Sequence, residues 1–163
     1  MKKLLGVVIS LIFINSSYSA DPVYIDANLG VNTSYSGAIA LGLNGGYLLN
    51  NYLGIEGGAT LTAAANPNSM SNGGNYYLFD AAIKGILPLG SVFSLYGKLG
   101  LGYSLYDNCV GCTSSPSTSS NLGLYYGAGA GFNLSNNWSL HLEDYAVTGN
   151  NPNMLMFGTE YHF

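Results

Sequence analysis

Ser139, His141 and Glu143 stand at alternate positions of one short segment, offering a nucleophile, a base and a carboxylate in order. A hydrolase could use such a set only if hydroxyl and imidazole come within hydrogen-bond reach. Alternate residues of an extended chain lie roughly 6–7 Å apart, which is too far. They would also lie deep inside a narrow lumen, so no catalytic residues are expected. Cys109 and Cys112 form a C-x-x-C pair. No helix is predicted to follow it, which argues against a thioredoxin-type site, and Asp107 alone does not complete a zinc site. A local disulfide at a loop tip is expected, with Gly111 easing the tight turn. Its stabilising effect should be modest, because the loop it closes is very small. Gly127-Ala128-Gly129-Ala130-Gly131 is not a phosphate loop, since its glycines alternate within a strand and no helix follows. Neither a metal nor any other cofactor is expected.

A third set is more informative: Asp26, Glu56, Lys84, Lys98, His141, Glu143 and Glu160. What positions them is a period of two, the spacing that sends successive side chains to opposite faces of a strand. Val23, Ile25, Ala27, Leu29 and Val31 share one face, against Tyr24, Asp26, Asn28 and Gly30. Leu53, Ile55, Ala59 and Leu61 likewise oppose Glu56, Gly58 and Thr60, and Phe93, Leu95, Leu99 and Leu101 oppose Tyr96, Lys98 and Gly100. Five further segments repeat the pattern around Leu41, Ile83, Tyr126, Leu142 and Phe157. Eight strands result, each about 10–12 residues long, the length that a tilted strand needs to cross a bilayer. The connections at Asn50–Asn51, Pro88 to Ser91 and Ser135 to Asn137 are short. The alternate ones, Thr33 to Gly37, Ala64 to Asn75, Tyr106 to Asn121 and Thr148 to Asn153, are longer on average and rich in Asn, Ser, Gly and Pro. Thr113 to Ser120, TSSPSTSS, reads as a solvated loop.

Residues 1–20 read as a cleaved secretory signal peptide: Lys2 and Lys3, an apolar run from Leu4 to Ile14, then small polar residues. The remainder, 21–163, is one domain. It holds two lysines and no arginine against eight carboxylates, a net charge of −6, which excludes an electrostatic footprint for nucleic acid. Only 7% of the chain is charged, and two lysines cannot solvate a water-facing exterior. The apolar face is therefore assigned to lipid and the polar face to the inside. With no apolar run long enough for a transmembrane helix after residue 20, the expected fold is all-β, an eight-stranded antiparallel transmembrane up-and-down β-barrel. Aromatics near strand ends, among them Tyr47, Phe93, Phe132 and Trp138 at one rim and Tyr77, Phe79 and Tyr103 at the other, fit two interfacial girdles. The seven ionisable residues then occupy the half of the lumen nearer the short turns. Glu56 and Lys84, at similar height on adjacent strands, are expected to pair in a polar plug.

The chain ends Gly158-Thr159-Glu160-Tyr161-His162-Phe163. This resembles the β-signal by which outer-membrane assembly machinery recognises its substrates, read on Gly158, Tyr161 and Phe163. Phe157 stands where that signal is usually polar. Together with Tyr52 to Gly58 and Lys84 to Leu89, the chain resembles the small outer-membrane β-barrel family of OmpA/OmpX-like and opacity-type surface proteins, a porin-like group of surface antigens. The resemblance implies a Gram-negative outer membrane reached through the Sec pathway. It implies outer-membrane lipid and lipopolysaccharide as surroundings and the assembly machinery as a transient partner. A monomer is expected, with a host or phage ligand as the class of partner at the loops. The function expected is non-enzymatic, structural or surface-interacting (adhesin- or antigen-like). The alternative is a narrow ion or small-solute channel through the lumen, and a distant third is an envelope lipid-modifying enzyme.

Overall fold

The computed structural model describes residues 22–34, 38–63, 75–107, 118–149 and 153–163. Its strands are β1 (Val23–Asn32), β2 (Ala38–Asn50), β3 (Leu53–Ala63), β4 (Asn75–Leu89), β5 (Phe93–Asp107), β6 (Thr118–Asn133), β7 (Trp138–Val147) and β8 (Asn153–His162). Each pairs antiparallel with the next, and β1 pairs with β8, so the sheet closes into an eight-stranded barrel. Closure satisfies every edge, which a sheet in lipid requires.

The alternation becomes an inside-out barrel. Ile25, Leu29, Leu41, Ile83, Leu99, Leu142 and Phe157 are exposed on the outer face, while Tyr24, Asp26, Lys84, Lys98 and Glu143 are buried inside. Trp138, Tyr161 and Phe163 stack in sequence at the short-turn rim, with ring centroids 4.9 and 5.4 Å apart. Phe93 and Phe132 extend this girdle at 5.0 Å. Both ends of the described chain meet there, where the Phe163 amide donates to the Val23 carbonyl.

The strands outrun their sequence-derived limits in three places. β4 continues through Pro88 and Leu89, so the turn begins only at Gly90, whose positive φ of 100° suits glycine. Pro88 is tolerated because the Ile86 amide already reaches past β3 to the Tyr52 carbonyl. Two residues on, the missing N–H faces a side where β3 has ended. β5 and β6 pair as far as Asp107 and Thr118, taking Thr118 to Ser120 out of the expected loop. The ladder can run beyond the bilayer because pairing needs backbone groups, not apolar side chains. Cys109 and Cys112, and the signal segment 1–20, lie outside the described residues.

Candidate functional site

The lumen is built from the inward half of each alternating pair and has two layers. Nearer the short turns, two lysines sit among carboxylates. Lys98 Nζ lies 2.5 Å from Glu56 Oε1 and 2.6 Å from Glu143 Oε2. Lys84 Nζ lies 2.7 Å from Glu160 Oε2 and 3.5 Å from Glu56 Oε2. Tyrosine hydroxyls fill the remaining acceptor positions: Tyr24 donates to Glu56 (2.7 Å), and Tyr96 and Tyr125 donate to Glu143 (2.8 and 3.1 Å). Lys84 also lies over the Tyr24 and Tyr96 rings, 4.7 and 4.8 Å from their centroids. Buried charge in so dry a place persists only when paired and hydrogen-bonded this completely.

Imidazoles face Asp26 and, from a second side, Glu160. His162 Nε2–H donates to Glu160 Oε1 at 2.7 Å. Asp26 Oδ2 accepts from Asn28 and Asn44 (2.8 and 3.1 Å), while its Oδ1 lies 3.5 Å from His141 Nε2. Because Asn28 gives its amide hydrogens to Asp26, its Oδ1 is free to accept from His141 Nε2 at 2.7 Å.

The layer nearer the long loops is apolar. Ala40, Tyr76, Leu78, Tyr125, Tyr145, Val147, Met154 and Met156 pack into one buried cluster. Tyr125 and Tyr145 stack at 5.1 Å, and the Tyr145 hydroxyl meets Thr60 Oγ1 at 2.8 Å. Between the layers, the space beside Asp80, Thr60 and Met156 has no room for a water molecule. Below, a polar pocket of about 50 Å³ beside Lys84, Ser139 and Glu160 can hold a few waters.

The structure places all seven ionisable residues of the sequence reading inside the barrel. It brings Glu56, Lys84, Lys98, Glu143 and Glu160 into one network and sets Asp26 and His141 beside it. Glu56 and Lys84 do meet, but this is the longer of the two Lys84 ion pairs. The ladder sets Glu56 opposite Ala82, so Lys84 stands two residues lower and turns across the lumen to Glu160. Ser139 and His141 share no hydrogen bond among the described residues, and Ser139 offers Thr159 its backbone carbonyl. Gly158 faces inward, where a Cβ would crowd Asn28 and His141, whereas Tyr161 and Phe163 belong to the outer girdle. Sequence reasoning left Tyr24, Tyr96, Tyr125, Asn28 and Asn44 out of the constellation. Their position on the polar face was the available signal. It also missed the clustering of Leu78, Val147, Met154 and Met156, which no period-two pattern reveals.

A closed eight-stranded barrel, apolar outside and ion-paired inside, defines a small outer-membrane barrel, and the chain belongs to the outer membrane protein beta-barrel domain family, whose model matches residues 6–163. No curated protein matches it by sequence. Among solved structures it resembles the N-terminal barrel domain of Pseudomonas aeruginosa OprF (TM-score 0.70, 17% identity, 89% of this chain and 100% of that one). It also resembles Neisserial surface protein A (0.68, 18%, 89% and 99%). A third is Ail, the attachment invasion locus protein of Yersinia pestis (0.60, 20%, 86% and 95%).

Proposed function

We propose that this barrel is a non-conducting, non-enzymatic surface protein that acts through what the four loops opposite its short turns present outside the cell. The observation that carries this reading is the filled lumen: an ion-paired layer, an apolar layer and, between them beside Asp80, a space too small for water. A lumen so packed is a scaffold, and a scaffold leaves its loops to do the work. Names such as surface protein and attachment protein among its structural relatives agree with this. One relative, Ail, has been crystallised with a heparin analogue. That chemistry does not transfer, because outside Lys2 and Lys3 the chain's only lysines are Lys84 and Lys98, both inside the barrel. A loop ligand here is neutral or cationic. The reading includes Sec export directed by residues 1–20, a Cys109–Cys112 disulfide in the oxidising envelope, lipopolysaccharide as surrounding lipid, and Gly158, Tyr161 and Phe163 as the assembly signal. The polar pocket beside Lys84 favours a second reading, a narrow ion path entered from the short-turn side.

Planar-bilayer conductance of the refolded protein, run beside its heat-shifted gel migration, separates the two. Heat-shifted migration without conductance is expected. Discrete conductance steps would move the charged layer from plug to pore.

A further inference from the structure

Between the two rims, the outward face of the described strands carries one charged side chain; the outward Thr159 of β8 is satisfied by the Ser139 carbonyl. On β7 the outward positions are Trp138, Leu140, Leu142, Asp144 and Ala146, and Asp144 is exposed. It lies six residues along a tilted strand from the girdle residue Trp138, a climb of ~15 Å within an apolar band of ~25 Å. A carboxyl near mid-depth on a lipid-facing wall is costly, and such residues mark interaction sites. Its β6 side is small: Ala128 stands directly opposite, Ala130 is diagonal to it, and Ala146 lies two residues further along β7, while Leu155 stands opposite on β8. One polar tip shares the patch. Tyr126 on β6 is also exposed outward, and pairs with Ala146. Strand tilt brings it to nearly the depth of Asp144. Neither side chain makes a hydrogen bond among the described residues.

The patch thus carries an acceptor and a donor at one depth, flanked by alanines that allow close approach. Two copies inserted in the same sense are related by a two-fold axis along the membrane normal, which brings equal depths together. We propose that the β6–β7 face is a self-association surface, on which Asp144 of each copy accepts a hydrogen bond from Tyr126 of the other. The charge inventory limits what a second copy can offer: among the described residues both lysines are ion-paired inside the lumen, so a hydroxyl and not an ammonium meets Asp144. The interface is isologous and goes beyond the monomer expected from the sequence.

The test is energy transfer between donor- and acceptor-labelled copies of the refolded full chain in phospholipid vesicles, over a range of protein-to-lipid ratios. Native protein should show transfer that rises with ratio to a plateau. Tyr126→Phe and Asp144→Leu should each raise the half-point roughly five- to tenfold, two bonds of ordinary intramembrane strength. The double variant should move it no further than either single one, since both remove the same contact. Native protein that stays monomeric at every ratio overturns the proposal. So does an unchanged half-point in Tyr126→Phe, tighter association of Asp144→Leu, or additive shifts. Tyr126→Phe removes one exposed hydroxyl and leaves the barrel intact by heat-shifted migration, so it decides the matter even if Asp144→Leu fails to refold.

Discussion

Replacing Lys98 by Met tests whether the charged layer holds the barrel together. Lys98 is the cation for Glu143 and the nearer cation for Glu56, with all three side chains no more than 4% exposed. Met fills similar volume, so packing is preserved while two carboxylates lose their counter-charge. Removing one partner of a buried pair costs about 3–5 kcal/mol. Here Glu56 keeps Lys84 at 3.5 Å, and Glu143 keeps two tyrosine hydroxyls. The lower end, about 3 kcal/mol, is therefore expected. Urea unfolding in lipid vesicles can be followed through Trp138, the sole tryptophan. With a slope of about 1–3 kcal/mol per molar, the midpoint should fall by about 1–3 M. Adding Glu143→Gln to Lys98→Met removes the stranded charge and should recover about half of that fall. A midpoint moved by less than about 0.3 M, or no recovery in the double variant, would refute the reasoning.

Tyr96→Phe deletes a hydroxyl donated to a buried carboxylate and should cost about 1.5–3 kcal/mol by the same titration. Gly46→Val should abolish the heat-shifted form, because even a Cβ at Gly46 would collide with the Tyr24 ring. Leu78→Ala should lower stability by about 2–5 kcal/mol, read from the urea midpoint, through the cavity left in the apolar layer. Phe163→Ala should refold normally in vesicles yet accumulate unassembled in cells, measured as the heat-shifted fraction in isolated envelopes.

Strand number, closure and the inside-out arrangement were legible because each rests on period two, which a single sequence displays in full. The face of Asp26, Glu56 or Lys98 follows from its parity. The partner of Lys84 does not. Glu160 lies on β8, across the lumen from β4, and side-chain reach across a closed barrel leaves no trace in spacing along the chain. The apolar layer was hidden for a related reason. Leu78 and Val147 occupy inward positions that alternation assigns to the polar face, and only the register shows them meeting. Asp144 breaks the outward pattern of β7, but its depth depends on which strands flank it.

Lys84 finds its close carboxylate, Glu160, on β8, and the ring shuts where β8 meets β1. An ammonium drawn into the barrel by β4 therefore lacks its shortest ion pair until the last strand has docked. Neutralisation and closure become one event. A nascent sheet of seven strands would hold an open seam and an under-compensated charge together, so partly assembled forms are penalised twice and the finished ring forms in an all-or-none step.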